Sequence, residues 1–123
     1  MAIERRIHIV DDDDAARDSL TILLQTLDFD VTSWASAIAY AESCIDGAAH
    51  CVLCDVRMPE LTGFDLVRRI RARGVATPVI LLTGHYDSAV AEQAREAGAF
   101  TVLEKPFSLD ALMRAMDAVP AAG

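Results

Sequence analysis

The sequence CVLCDVRMP, at residues 51–59, decides the fold prediction for this chain. Val52 and Leu53 fit a short buried strand, and a lone carboxylate, Asp55, stands where that strand is expected to end. Pro59 has no backbone N–H and cannot extend a strand ladder, so the chain must turn there. A charge at the end of a buried strand is costly unless other groups offset it. Asp55 is therefore the first candidate functional residue.

Charged residues also follow the first and the last apolar run of the chain. Asp11 and Asp12 come after the first run, and Lys105 comes after the last. The neighbouring Asp13 is a plausible N-cap, and Asp14 fits the first turn of the following helix, near its positive end. Because a helix start needs only one or two such residues, Asp11 and Asp12 are left for a site at the strand end.

Apolar runs and amphipathic helical patterns alternate five times, and we interpret Gly63 as a turn before the third helix. The predicted strands are residues 7–10, 30–34 (at a sheet edge), 50–54, 79–82 and 100–103. Alternating strands and helices predict a parallel sheet that is covered on both faces, with right-handed crossovers. Ligands bind such sheets outside the carboxyl ends of the strands. The polar residues expected at those ends are Asp11, Asp12, Asp55, Thr83 and Lys105.

The composition restricts the possible classes of protein. The 123 residues are 53% hydrophobic and 24% charged, which is typical of a single globular domain, and the formal net charge is −8. No apolar run approaches the roughly 18 residues of a membrane span, and residues 1–6 do not resemble a secretory signal. We therefore expect a cytoplasmic domain with no membrane partner. So acidic a domain repels nucleic acid and is a poor DNA binder by itself.

Several potentially reactive residues receive structural interpretations. We expect His8 to be packed or hydrogen-bonded beneath a helix. The Cys51-x-x-Cys54 pair does not fit a zinc or redox site, because residues three apart on a strand point to opposite faces. We expect these two cysteines and Cys44 to be small buried hydrophobes. The four arginines at residues 68–73 are interpreted as a solvated helix face.

Three carboxylates at one sheet edge repel one another and favour a divalent cation. Magnesium is the expected ion, because it takes one or two carboxylates, several waters and phosphate oxygens. We expect Asp12 to be a direct ligand and Asp11 to act through a water. Asp55 would bind the ion through one oxygen and attack through the other, and the backbone carbonyl of Arg57 is a further candidate ligand.

A carboxylate can attack phosphorus to form an aspartyl phosphate, and the remaining groups fit that reaction. Such a transfer needs in-line positioning and cations on the equatorial oxygens of the phosphoryl group. Lys105 would supply one of those cations. The hydroxyl of Thr83 could donate to a phosphoryl oxygen, and Gly84 leaves room for the group to approach. Asp55, Thr83 and Lys105 are therefore the expected catalytic residues.

Four motifs in order resemble the receiver domain of bacterial two-component response regulators. They are IVDD (9–12), LCDVRMP (53–59), LLTGH (81–85) and EKPF (104–107). The forms RMP, TGH and EKPF that these motifs take here are most similar to receivers of the nitrogen-fixation regulator family. Members of that family usually carry a C-terminal helix-turn-helix domain. The resemblance implies a flavodoxin-like (βα)5 three-layer sandwich with sheet order 2-1-3-4-5. It also implies magnesium-dependent phosphorylation of Asp55 by the phosphohistidine of a sensor histidine kinase, and a cis peptide between Lys105 and Pro106.

The family's switch residues are only partly present. In the family, a threonine, here Thr83, moves toward the phosphoryl group while an aromatic residue three positions before the lysine turns inward. That position holds Val102, and Phe100 lies two residues earlier on the same strand face. Either Phe100 substitutes for the missing ring, or the surface responds through backbone shifts alone. The offset of ~7 Å favours the second alternative.

Two further residues are assigned through the resemblance. Arg57 and His85 occupy positions that flank the path of the attacking water in the family. We expect both side chains to tune the lifetime of the aspartyl phosphate.

Three classes of function compete for this sequence. The leading hypothesis is a signalling switch that turns over no metabolite. Once phosphorylated, it would pair with a second copy or bind another partner through the face formed by the fourth helix, fifth strand and fifth helix. A magnesium-dependent phosphohydrolase would need a general acid two residues after Asp55, where Arg57 stands. A flavin-binding module would need a phosphate-binding loop where the four aspartates lie. Residues 1–123 are expected to be one receiver domain, either a complete single-domain regulator or part of a longer DNA-binding one. The family resemblance alone favours the second alternative, with a linker beginning at about 119–123.

Overall fold

The computed structural model describes residues 5–120, which form five strands and five helices. The strands are β1 (Arg6–Val10), β2 (Asp30–Trp34), β3 (Cys51–Asp55), β4 (Val79–Thr83) and β5 (Thr101–Glu104). The helices are α1 (Asp14–Thr26), α2 (Ala37–Ser43), α3 (Gly63–Ala72), α4 (Ser88–Ala97) and α5 (Leu109–Ala118). Residues 121–123 of the predicted linker lie outside the described part of the chain. No helix within residues 5–120 has the length and apolar composition needed to cross a bilayer.

The sheet is parallel throughout, with the order β2-β1-β3-β4-β5 that the resemblance implied. β2 lies at one edge, as predicted, and β5 lies at the other. All residues of the central strands β3 and β4 are buried, because helices cover both faces. The fold is therefore the predicted flavodoxin-like three-layer sandwich.

Successive residues of β3 divide between the two apolar layers. Val52 and Cys54 belong to the core beneath α2, α3 and α4. Cys51 and Leu53 belong to the opposite core, beneath α1 and α5. The cysteines of the C-x-x-C sequence therefore lie on opposite faces of the sheet, and like Cys44 they are buried and unpaired. The structural interpretation of the cysteines is confirmed.

Helix starts follow the capping pattern of the sequence. The side chain of Asp13 accepts hydrogen bonds from two N–H groups of the first turn of α1, as predicted. Ser36 and Asp87 cap α2 and α4, and Gly98, in the left-handed region at φ 95°, ends α4. Polar side chains satisfy N–H groups that have no partner within the helix, so these boundaries are encoded locally.

The prediction for Gly63 is wrong, because this residue is the first of α3 and not a turn. Thr62 is the N-cap, and its hydroxyl accepts a hydrogen bond from the N–H of Asp65. A Cβ at position 63 would lie 2.7 Å from the backbone oxygen of Asp55 and 2.9 Å from Leu81 Cδ2. Glycine is required here by the close approach of α3 to the end of β3.

The prediction of a solvated arginine face is wrong for Arg71, which is half-buried, and incomplete for Arg73, which is exposed but bonded to another element. The guanidinium of Arg71 donates to the carbonyl of Gly98, at 3.0 Å and 3.3 Å, and to the carbonyls of Val75 and Thr77. Arg73 donates to carbonyls at the C-terminal end of α2. Charge and spacing alone do not distinguish these side chains from Arg68, which is half exposed and pairs with an acid on its own helix. Arg71 and Arg73 join α3 to α4 and α2.

Candidate functional site

The predicted site residues meet at the carboxyl edge of the sheet. Asp11 directly follows β1, Asp55 ends β3, Thr83 ends β4 and Lys105 directly follows β5. The parallel topology brings them together although they are far apart in sequence, because the carboxyl ends of parallel strands share one edge.

The three predicted carboxylates form one cluster. Oxygens of Asp11, Asp12 and Asp55 all lie within 4.8 Å of one another. Asp11 and Asp55 are only 6% and 9% exposed, while Asp12 is exposed. The N–H of Asp13 donates to Asp11 Oδ1 at 2.9 Å, and the N–H of Arg57 donates to Asp55 Oδ2 at 3.0 Å. The backbone thus fixes one oxygen of each buried carboxylate.

The buried position of Asp11 disfavours its charge. Burial raises the pKa of the Asp11 carboxyl above its ordinary value, and the negative charges of Asp55 and Asp12 act in the same direction. The bond from the N–H of Asp13 and the charge of Lys105 oppose that rise in pKa. Three carboxylates packed this closely favour an additional cation, because a positive charge would stabilise all of them in the ionised form.

Lys105 provides one positive charge to the cluster. Its Nζ donates to Asp55 Oδ1 at 2.6 Å, and the side chains of Lys105 and Asp55 are 36% and 12% exposed. The backbone N–H of Lys105 donates to the carbonyl of Thr83 at 2.7 Å, which holds the lysine at the end of the β4–β5 ladder. The peptide bond that follows, to Pro106, is cis, as the resemblance implied.

The hydroxyl of Thr83 is bonded to its own loop. It donates to the carbonyl of His85 at 3.1 Å and accepts from the N–H of His85 at 3.2 Å. Thr83 is 3% exposed and lies on the strand next to Asp55. In this arrangement the hydroxyl proton is committed to the loop and not to the carboxylate cluster.

The side chains of Arg57 and His85 are both exposed at the rim of the site. His85 Nε2 lies 3.1 Å from Asp87 Oδ2, and the His85 side chain is 70% exposed. Arg57 contributes its backbone N–H to Asp55, and the residue is exposed. No hydrogen bond among residues 5–120 joins either side chain to the cluster.

The two candidate switch positions differ in their surroundings. Val102 is half-buried within β5, whereas Phe100 precedes the strand, which begins at Thr101 and not at the predicted residue 100. Phe100 is 38% exposed. Together with Tyr86, the two residues line a cavity of about 170 Å³ between α4 and β5.

Sequence reasoning missed two residues that position this site. Arg17 donates from Nη1 to the carbonyl of Asp11 at 2.7 Å and so supports the acidic turn from α1. Glu104 belongs to the EKPF motif, and its carboxylate accepts a hydrogen bond from the N–H of Tyr86 at 3.1 Å. The position of Arg17 one helical turn after Asp13 was a usable signal. The contact of Glu104 depends on strand order and has no local signal.

A cleft adjoins the carboxylate cluster. It has a volume of about 330 Å³ and is bounded by Asp11 and Lys105 on one side. Leu20 and Leu23 of α1 and Phe107 of the following loop form its mainly apolar wall. Leu23 is 39% exposed, so this cleft is an accessible apolar surface next to the site.

Comparison with known proteins agrees with this architecture. The family model of the response regulator receiver domain matches residues 7–117. The transcriptional regulatory protein FixJ of Azorhizobium caulinodans is 40% identical over 112 residues, which cover 91% of this chain and 53% of that protein. The chain therefore spans about half the length of this relative.

Solved structures show the same similarity. The crystal structure of FixJ-N is 33% identical, with a TM-score of 0.80 over 91% of this chain and 90% of that chain. The receiver domain of the sensor histidine kinase PA1611 from Pseudomonas aeruginosa PAO1 is 29% identical. Its TM-score is 0.81, over 93% of this chain and 95% of that chain. That structure is described with a magnesium ion coordinated in its active-site cleft. The chain belongs to the family of response regulator receiver domains of two-component systems, as its four motifs predicted.

Proposed function

We propose that Asp55 accepts a phosphoryl group from the phosphohistidine of a sensor histidine kinase. The observation that carries this proposal is the 2.6 Å contact between Lys105 Nζ and Asp55 Oδ1, beside two further carboxylates. A nucleophilic carboxylate that is paired with an ammonium group at the sheet edge has the cation that phosphoryl transfer requires.

The donor set fits magnesium. Asp11, Asp12 and Asp55 provide oxygen ligands within 4.8 Å of one another, and the backbone carbonyl of Arg57 is a further candidate. These are hard oxygen donors, which magnesium prefers to nitrogen or sulfur ligands. When bound, the ion would neutralise charge on the carboxylates and on the phosphoryl oxygens.

The residues of the chain then have separate roles in the transfer. An oxygen of Asp55 forms a P–O bond as the P–N bond of the phosphohistidine breaks, and the bonding pair returns to the imidazole nitrogen. Lys105 moves its donor from Asp55 to an equatorial oxygen of the phosphoryl group. The hydroxyl of Thr83 leaves the carbonyl of His85 and donates to another equatorial oxygen. Later hydrolysis transfers the phosphoryl group to water and restores the free carboxylate.

The kinase would reach Asp55 across the apolar cleft beside it. The cleft is continuous with Asp11 and Lys105, and its wall of Leu20, Leu23 and Phe107 offers apolar area next to the reacting groups. An apolar surface that adjoins a charged centre fits a partner that must both dock and place one histidine at Asp55.

Phosphorylation would change the surface formed by α4, β5 and α5. Tyr86, Phe100 and Leu109 are 47%, 38% and 41% exposed on that side of the molecule. Withdrawing the hydroxyl of Thr83 from the loop before α4 would alter how these apolar groups are presented, and a second phosphorylated copy is the proposed partner. We propose that this pairing controls transcription through a DNA-binding domain of the whole protein, in the cytoplasm, where free cysteines remain reduced.

The test is mass spectrometry after incubation with a small phosphodonor and magnesium. The wild-type chain should gain the mass of one phosphoryl group, and the Asp55→Ala variant should gain none. The Asp117→Ala variant removes an exposed acid at the end of α5 and should behave like the wild type. Modification of the Asp55→Ala variant would contradict the proposal, and rapid release of many equivalents of phosphate would identify a hydrolase instead.

A further inference from the structure

The loop between β4 and α4, residues 84–87, is bonded to the end of β5. Glu104 Oε2 accepts a hydrogen bond from the backbone N–H of Tyr86 at 3.1 Å. Glu104 is the register partner of Thr83, and the N–H of Lys105 donates to the carbonyl of Thr83. The carboxylate of Glu104 therefore continues the β4–β5 pairing by one side-chain bond, beyond the point where the backbone ladder ends.

Thr83 also holds the same loop, and the bond that its hydroxyl donates to His85 cannot persist if the hydroxyl turns to a phosphoryl group. A hydroxyl has one proton, which Thr83 donates to the carbonyl of His85. If that proton is donated to a phosphoryl oxygen on Asp55, the carbonyl of His85 loses its partner. The bond between Glu104 and Tyr86 does not involve that proton, so it continues to restrain the loop beside the bond from the N–H of His85 to the oxygen of Thr83.

The other candidate contacts from β5 are apolar. Val102 is half-buried and carries no polar group, and Phe100 lies outside the strand with 38% of its surface exposed. Among residues 5–120, Glu104 is the β5 residue whose side chain forms a hydrogen bond to the loop. The strand thus reaches the loop through a carboxylate at position 104.

We propose that Glu104 is a positioning residue that holds the loop in its unphosphorylated arrangement and thereby limits how readily Asp55 is phosphorylated. The inference rests on the proposed function of Asp55 and adds a residue that regulates it. Glu104 is exposed, so substituting it leaves the core unchanged. Its carboxylate acts through the loop and does not touch the phosphoryl group.

The experiment compares Glu104→Ala, which removes the acceptor, with Glu104→Gln, which keeps an acceptor oxygen but removes the charge. Hydrogen exchange of the Tyr86 amide should be faster by about tenfold in Glu104→Ala and close to the wild-type rate in Glu104→Gln. Phosphorylation by a small phosphodonor should be faster by about threefold in Glu104→Ala only. Glu42→Ala removes an exposed carboxylate from α2 and controls for net charge. Glu104→Thr replaces Glu104→Ala if the latter does not fold.

Three outcomes would overturn the inference. Unchanged phosphorylation in Glu104→Ala, together with faster exchange of Tyr86, would show that the bond exists but restrains nothing. Equal acceleration in Glu104→Gln and Glu104→Ala would assign the effect to charge. A wild-type chain that is not phosphorylated would overturn the proposed function and this inference with it, while the exchange measurement would still report the bond.

Discussion

The carboxylate cluster and the loop at residues 84–87 lie side by side, yet they shift the pKa of an acidic side chain in opposite directions. Burial raises the pKa of Asp11 in the cluster. In the loop, the N–H of Val90 and then the ring of His85 lower the pKa of the exposed Asp87. A cation would therefore stabilise the ionised form of the cluster, whereas the Asp87 carboxylate in the loop is already stabilised by its own hydrogen bonds. Under the proposed function, the cluster binds the cation and the phosphoryl group, and the loop is the part that changes conformation.

The largest effect is expected when the ammonium group of Lys105 is removed from the cluster. Lys105→Ala should slow phosphorylation of Asp55 by about 100-fold or more, because one fixed donor to the developing charge is lost. The rate with a small phosphodonor and magnesium measures the effect. Arg114→Ala, which removes an exposed cation from α5, should leave that rate unchanged. A rate in Lys105→Ala within a few-fold of the wild-type rate would contradict the assignment.

The second test compares two glycines: Gly63, which is tightly packed beneath the cluster, and Gly84, which has free space around it in the loop. Gly63→Ala should lower the free energy of unfolding by about 1–3 kcal/mol, because the new methyl group overlaps backbone. That methyl would lie 2.7 Å from the carbonyl oxygen of Asp55, whereas a Cβ at Gly84 meets no atom within 4 Å. Gly84→Ala should therefore leave stability nearly unchanged in urea denaturation. Equal effects at the two positions would remove the proposed difference in rigidity.

A smaller effect is expected from Arg57 and His85, whose proposed position beside the route of water comes from the family resemblance. Arg57→Ala and His85→Ala should each accelerate loss of the phosphoryl group by about threefold, because less of the route is covered. The decay of phosphorylated protein after removal of the phosphodonor measures the lifetime. The lifetime hypothesis fails if both variants decay at the wild-type rate.

The smallest effect concerns the pH dependence of the loop. The folded-state pKa of Asp87 is lowered, so its charged form stabilises the native state above the ordinary pKa of an aspartate. This contribution is lost as the pH falls through the lowered value. Asp87→Asn keeps an oxygen for the N–H of Val90 but has no charge, so its stability deficit at neutral pH should disappear in acid. Urea denaturation at both pH values tests the sign, and a deficit that grows in acid would contradict it.

Strand ends were predictable from the sequence, and contacts between loops were not. Asp11, Asp55 and Lys105 follow apolar runs, and parallel topology alone brings such residues to one edge. The role of Gly63 was mispredicted because its constraint comes from Asp55, which lies in a different element. The contact between Glu104 and Tyr86 likewise depends on how closely the loop and the end of β5 approach each other, which cannot be predicted from the spacing of residues along the chain.

The arginine at position 71 anchors the C-terminal end of α4. Its guanidinium binds the carbonyl of Gly98, immediately after the helix, while the opposite end of α4 begins at the loop that Thr83 can release. A helix that is anchored at one end can swing but cannot slide. Under the proposed function, a displacement that starts at Thr83 would therefore become a pivot about Gly98, with its greatest amplitude beside Tyr86.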